Sequence, residues 1–265
     1  MHLDALFSPK SVAVVGASRS PGKIGYTILK NMIEAGFKGD LYPVNPMADS
    51  ILGIPAVKDI ASLPASLDLA VLAVPRDAVV PALKALVEHR LRSAVIVSAG
   101  YRETGREGWK IEEEVARICR HNDIALIGPN CLGVLSTSDG VNASFAPGFP
   151  RKGNIAFFSQ SGALCSAILD WAIGESIGFS KFVSLGNKAV VDETHMLYAL
   201  AQDPETKVVL GYVENVEHGE AFLRMARKIT REKPVIILKG GITAAGAKAA
   251  SSHTGAMVGS EQAYE

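Results

Sequence analysis

Several short stretches of this chain hold residue types able to do chemistry. His253 sits in Ala249-Ala250-Ser251-Ser252-His253-Thr254-Gly255-Ala256, a run of small residues that follows the apolar segment Val235-Ile236-Ile237-Leu238 and Lys239-Gly240-Gly241. The pattern reads as a strand leading into a loop, the usual place for a reacting side chain on a rigid scaffold. An imidazole there is ionisable and nucleophilic; a surface histidine with no role is the competing reading, and this run alone does not choose between them. Glu214 follows the apolar run ending in Tyr212-Val213. A carboxylate beside an imidazole orients one ring nitrogen and leaves the other to attack phosphorus. Glu217 and Glu220 fall on the next helical segment and read as solvated.

Two further stretches suit anions. Phe158-Ser159-Gln160-Ser161-Gly162 ends a strand and starts a helix, so two hydroxyls and unpaired backbone N–H groups converge on one point. Simple N-capping by Ser159 or Ser161 is the alternative. Gly16-Ala17-Ser18-Arg19-Ser20-Pro21-Gly22-Lys23-Ile24-Gly25 likewise follows a strand and opens a helix. Its glycines allow close backbone approach, and Arg19 and Lys23 add positive charge for a phosphate-bearing ligand. The spacing is not that of a dinucleotide fingerprint. The second strand also ends in Val44-Asn45-Pro46, without the acidic residue that would grip a ribose hydroxyl, which disfavours an NAD-linked oxidoreductase. Ala73-Val74-Pro75-Arg76 and Ser98-Ala99-Gly100-Tyr101 end two more strands at the same crevice, although Pro75 and Gly100 taken singly are plain turn residues.

The elements that must position these residues are legible as alternation. Strand-like runs occur at Ser11–Val15, Leu41–Val44, Leu69–Val74, Ala94–Val97 and Ile124–Ile127, with helical patterns around 24–36, 77–90 and 107–121. The pattern restarts at Asn154–Phe158, 179–184, Val208–Val213 and Val235–Leu238, with helices near 162–175, 192–202 and 218–231. Such alternation predicts an α/β protein of two doubly wound parallel-sheet domains, residues 1–127 and 128–265. The Gly-, Pro-, Asn- and Ser-rich stretch 128–153 reads as a linker with functional loops.

Composition narrows the partners. The chain has 265 residues, 48% of them hydrophobic, and Lys+Arg and Asp+Glu balance at 27 each. No bulk charge draws nucleic acid or a membrane surface, so any anion site must be local. No apolar run approaches the roughly 18 residues of a bilayer span, and the N-terminus lacks a secretion signal. Cys119, Cys131 and Cys165 have no CxxC spacing, which fits a reducing cytoplasm and no structural zinc. No His/Cys/Asp cluster has metal-ligand spacing. His2, His89, His121, His195 and His218 read as structural or surface residues, and Cys131 as a packed small residue.

The order Gly-Ala-Ser…Pro-Gly-Lys-Ile-Gly, Val-Asn-Pro, Ala-Val-Pro and Ser-Ala-Gly-Tyr resembles the CoA-binding domain of the nucleoside-diphosphate-forming acyl-CoA synthetases, which include ADP-forming acetyl-CoA synthetases and the succinyl-CoA synthetase α subunit. Met47 departs from the Lys commonly found there. Gly128-Pro129-Asn130-Cys131-Leu132-Gly133 is similar to the opening of the family's ligase domain, and Ser184-Leu185-Gly186-Asn187-Lys188, followed by Asp192, to a segment lining the same pocket. The resemblance implies a Rossmann-like CoA-binding domain followed by a flavodoxin-like domain. It assigns CoA to Gly16, Ala17, Ser18, Arg19, Lys23, Asn45, Pro46, Val74, Pro75, Ser98, Ala99 and Gly100. Phosphate or acyl group falls to Asn130, Ser159, Gln160, Ser161, Gly162 and Asn187, and His253 becomes a phosphoryl carrier contacted by Glu214.

The activity so implied is the reversible conversion of acyl-CoA, phosphate and ADP or GDP to acid, CoA and ATP or GTP. No ATP-grasp domain is present, so nucleotide and Mg²⁺ would bind a β-type partner subunit or domain, and an oligomer is expected. Relatives continue past the helix that begins at Ser260-Glu261, so a truncated chain is also expected. The alternative is a CoA-binding regulatory module, as in fusions to acetyltransferase domains, with His253 idle.

Overall fold

In the computed structural model, which describes residues 1–241, the β-branched runs become strands and the periodic segments between them become helices. The chain opens with α1 (Asp4–Phe7), β1 (Ser11–Val15), α2 (Ile24–Glu34), β2 (Asp40–Val44) and a small hairpin of β3 (Ser50–Ile51) and β4 (Ile54–Pro55). It continues through β5 (Leu69–Leu72), α3 (Arg76–Val87), β6 (Ser93–Ile96), α4 (Arg106–His121) and β7 (Ala125–Ile127). Five of these strands form a parallel sheet in the order β2-β1-β5-β6-β7. Every residue of β5, β6 and β7 is buried, as a sheet covered by helices on both faces requires.

A second sheet follows, built from β8 (Gly133–Ser136), β9 (Val141–Ser144), β10 (Arg151–Ser159), β11 (Gly178–Ser184), β12 (Val208–Val213) and β13 (Val235–Lys239). Its helices are α5 (Gly162–Gly174), α6 (Glu193–Gln202) and α7 (Gly219–Ile229). The order is β13-β12-β10-β11-β8-β9, with β10 to β13 parallel.

The edge of this sheet corrects the expectation of a purely parallel domain preceded by a linker. Within 128–153, β8 and β9 form an antiparallel hairpin, β8 pairs antiparallel with β11, and all eight hairpin residues are buried. The strands are too short and too rich in Gly, Ser and Asn to stand out in the sequence. Their burial comes instead from packing against the other half of the molecule. The Asn31 amide on α2 donates to the carbonyls of Ser144 and Ala146, each at 2.9 Å. One apolar cluster contains Val12, Val14 and Val95 of the first sheet together with Val134, Phe158 and Val183 of the second, so the two sheets share a core.

Winding direction locates the crevices. From β1 the chain goes to β2 on one side and later to β5 on the other; from β10 it goes to β11 on one side and to β12 on the other. Ligands of doubly wound sheets bind at such reversals, outside the carboxyl ends of the strands. The β1/β5 reversal is tightly packed. A Cβ on Gly16 (φ +90°) would sit 2.5 Å from the Ala73 carbonyl oxygen, and one on Gly25 would sit 2.0 Å from the Gly16 carbonyl oxygen. His253 and the small residues beside it lie outside the described residues. Among the described residues no helix is long and apolar enough to cross a membrane.

Gly25→Ala tests this packing. The gain in helix propensity is about 1 kcal/mol, whereas forcing a methyl into rigid backbone costs more, for a net loss of ~2 kcal/mol. Urea unfolding is expected to show a lower midpoint; an unchanged or higher midpoint disproves the close contact.

Candidate functional site

The loop after β1 begins at Gly16, and the first turn of α2 leaves backbone N–H groups without intrahelical acceptors. Asn45, at the end of β2, braces this loop. Its Nδ2 donates to the Ala17 carbonyl at 2.7 Å, and its Oδ1 accepts the Met47 N–H at 2.8 Å. The Asn45 side chain therefore shapes the cradle from within instead of reaching out of it. Ser18 Oγ accepts the Ser20 N–H at 3.1 Å. Arg19 and Lys23 are exposed, and Lys23 holds the N-cap position of α2 without capping it through its side chain. Val74 and Pro75 follow β5. The Arg76 guanidinium then bridges to the next loop, donating to the Gly100 carbonyl at 3.1 Å. All twelve residues assigned to CoA thus lie beyond the carboxyl ends of β2, β1, β5 and β6, four neighbouring strands.

Beside them a cleft of about 300 Å³ opens between the two sheets, lined by Val97, Asn130, Leu132, Phe145, Gln160, Gly162 and Asn187 among others. Asn130 sits in the left-handed region (φ +59°) directly after the cis Gly128–Pro129 peptide, and its N–H donates to the Ser98 carbonyl at 3.0 Å. The strand-to-helix turn at Ser159–Gly162 faces this cleft, but its polar side chains are engaged internally. Ser159 Oγ is buried, donating to the Ser161 carbonyl and accepting the Ser161 N–H, both at 3.0 Å. Ser161 caps α5 by accepting the Leu164 N–H at 3.3 Å. Gln160 Oε1 accepts the N–H groups of Glu214 (2.8 Å) and Asn215 (3.2 Å), and its Nε2 donates to Glu193 (3.0 Å) and the Asn215 carbonyl (2.8 Å). What the turn offers an anion is backbone N–H at Gly162 and Ala163, in the first turn of the helix.

Gln160 belongs to a buried network absent from the sequence reading. The Lys188 ammonium pairs with Glu193 at 2.9 Å and donates to the Asn215 carbonyl at 3.1 Å. The Glu193 side chain is fully buried and that of Lys188 5% exposed. Together with Gln160 the pair fixes the Glu214–Asn215 turn at the end of β12. Glu214 itself is buried, beside the Tyr212 hydroxyl, and the Lys239 ammonium donates to its backbone carbonyl at 2.9 Å. Burial, then the neighbouring Glu214 carboxylate, raises the Tyr212 phenol; burial lowers the Lys239 ammonium, with Glu214 opposing. Asp192 caps α6, accepting the N–H groups of Thr194 and His195 at 3.0 Å and contacting the His195 ring at 2.6 Å. Burial works to raise its carboxyl, and these partners outweigh it, holding it below its ordinary value.

Asn187 is likewise committed. Its Oδ1 accepts from the Asn130 amide at 3.3 Å, while its Nδ2 donates to Glu103 at 2.7 Å and to Glu112 at 2.8 Å. Burial pushes the Glu112 carboxyl up, with Arg102 and Asn187 opposing. Cys131 lines the cleft with its thiol raised by burial and its Sγ on the Ile96 carbonyl, a packed residue and no nucleophile. Among the described residues no group of His, Cys, Asp or Glu could hold a metal ion.

Comparison with known proteins matches residues 10–137 to a CoA binding domain and residues 152–265 to a succinyl-CoA ligase like flavodoxin domain. The chain is 46% identical over 262 residues to an ADP-forming acetate–CoA ligase I of Archaeoglobus fulgidus, covering 99% of this chain and 38% of the relative. It is 41% identical to the α subunit of ADP-forming acetate–CoA ligase I of Pyrococcus furiosus, covering 100% of this chain and 58% of that subunit. The dinucleotide forming acetyl-coenzyme A synthetase 1 of Ca. Korarchaeum cryptofilum, solved in complex with phosphate and ADP, superposes with a TM-score of 0.94 at 39% identity, over 99% of this chain and 56% of that one. The chain therefore spans between 38% and 58% of the length of these relatives.

Two measurements test the network beneath the site. Lys188→Met leaves the Glu193 charge buried and unpaired, with an expected loss of about 3–5 kcal/mol in urea unfolding, whereas Lys188→Met/Glu193→Leu removes both charges and loses less. A double variant no more stable than the single one contradicts the pairing. For Asp192 the folded pKa is lowered, so its contribution is complete above the unfolded value, about 3.9, and disappears as pH falls through the folded value. Asp192→Asn keeps a good N-cap and removes that titration, so its stability should fall less steeply than that of the wild type below about pH 4. Parallel acid-unfolding curves would rule this out.

Proposed function

The chain belongs to the NDP-forming acyl-CoA synthetase family, of which it carries the CoA-binding domain and the succinyl-CoA ligase-like flavodoxin domain, and we propose that it serves as the α-type unit of such a ligase. In this reading it works in the cytoplasm, within an oligomer, with a β-type ATP-grasp subunit or domain that supplies ADP (or GDP) and Mg²⁺. What supports the reading most is a cleft in which Val97, next to the loop Ser98–Gly100, and Asn130 lie beside a helix start fit for an anion, that of α5.

CoA occupies the first half of the crevice. Its phosphates lie on the N–H groups opening α2, neutralised by Arg19 and Lys23, and its thioester end reaches past Ser98–Gly100 towards Asn130. Phosphate rests on the first-turn N–H groups of α5. One of its oxygens attacks the thioester carbonyl, the C–S bond breaks, and CoA leaves as a thiolate that takes up a proton, giving an acyl phosphate. A ring nitrogen of His253 then attacks phosphorus, the P–O bond to the acyl group breaks, and the acid departs as its carboxylate. Glu214 orients the histidine and steadies the charge on its ring. Attack by a terminal oxygen of the nucleoside diphosphate on phosphohistidine returns the free imidazole. Fixed N–H donors and the rigid Glu214 turn supply positioning and charge stabilisation, the main sources of rate in phosphoryl transfer.

Radiolabelled phosphate with acetyl-CoA tests this on the intact ligase. Acid-labile, base-stable label is expected on the wild-type chain and absent from His253→Ala, while Glu214→Gln should slow labelling by roughly 100-fold. Wild-type protein that binds CoA and never becomes labelled would instead indicate a CoA-binding module.

A further inference from the structure

The carboxylate of Glu103 touches both halves of the crevice. It lies in the short 3₁₀ turn Arg102–Thr104 that follows β6. Its Oε1 accepts the N–H groups of Gly100 at 2.6 Å and Tyr101 at 3.1 Å, which holds the loop Ser98–Gly100 in shape. Its Oε2 accepts from Asn187 Nδ2 at 2.7 Å, and Asn187 in turn holds the Asn130 amide in the acyl cleft. The second Asn187 hydrogen goes to Glu112, which the Arg102 guanidinium neutralises. Every hydrogen-bonding atom of the Asn187 amide is therefore used, and the amide cannot turn without breaking a bond to a carboxylate.

We infer that Glu103 is a positioning residue that couples the CoA loop to the phosphate and acyl cleft, so that occupation of either alters affinity for the other. This rests on the ligase reading for the identity of the two ligands. The physical basis is the division of one rigid, planar group between two loops. A shift of Gly100 on CoA binding moves Oε1, and Oε2 carries the shift to Asn187 and Asn130. Because both hydrogens of the Asn187 amide are held by carboxylates, a rotation there would break one of those bonds, so the shift is passed on. Such coupling is reciprocal by thermodynamic necessity.

Glu103→Gln is the discriminating variant. Glutamine has the size of glutamate but one acceptor oxygen, and its NH₂ group can only donate. It can hold the Gly100 and Tyr101 N–H groups or the Asn187 amide, not both. Calorimetric titration of CoA into the intact ligase, with and without saturating inorganic phosphate, reads the coupling. In the wild type phosphate is expected to change the CoA dissociation constant by at least about 5-fold. In Glu103→Gln that ratio should fall below about 2-fold, and adding Asn187→Ala should reduce it no further, because both changes cut the same link. A wild-type ratio of one, or a ratio retained in Glu103→Gln, overturns the coupling while leaving CoA binding intact. Wild-type protein that binds no CoA overturns the ligase reading itself. If Glu103→Gln does not fold, Asn187→Ser breaks the bridge from the other side, and a retained ratio there is equally fatal.

Discussion

The arrangement of this molecule depends on one amide being satisfied. Asn187 sits where the carboxyl edges of the two sheets meet, between Glu103 and Glu112 of the first half and Asn130 of the crevice. Two carboxylates this close repel each other and are costly to bury. The amide hydrogens and the Arg102 guanidinium make their approach acceptable. Beneath this polar seam the common apolar core, with Val95 and Phe158 in one cluster, holds the sheets together. The core sets how closely the sheets approach, and the seam sets which loops face one another.

The same economy governs the anion sites. The chain has equal numbers of acidic and basic residues, so attraction for phosphate has to be local. In the proposed reading, backbone N–H groups at the starts of α2 and α5 supply it, and the side chains around them hold the turns in shape. Asn45 braces the first turn and Ser159, Gln160 and Ser161 brace the second. Donors aimed by a network of internal hydrogen bonds need little reorganisation when charge develops in front of them.

The elements were legible because parallel strands covered on both faces must be apolar along their whole length. Leu69–Leu72 and Ser93–Ile96, buried along their whole length, stand out for that reason. The strands β8 and β9 do not, since they are buried by distant segments; β9 packs against α2, more than a hundred residues away in sequence from Ser144. Nothing in the sequence marks Lys188 and Glu193 as partners. Only the packing of the turn after β12 over the start of β10's helix turns them into a buried pair.

The sequence by itself determined the alternation of strands and helices, the glycine turn at Gly16, the strand-end positions of Ser159–Gly162 and Glu214, and the order of motifs that places the chain in its family. Those properties are local, written in side-chain period, turn chemistry and residue type. The tertiary structure alone decided which polar groups face the crevice and which face inward, and that Glu103, Glu112 and Arg102 take part at all. Hydrogen-bond capacity is allotted by neighbours in space, and the partners of Gln160 and Asn187 come from segments far apart along the chain.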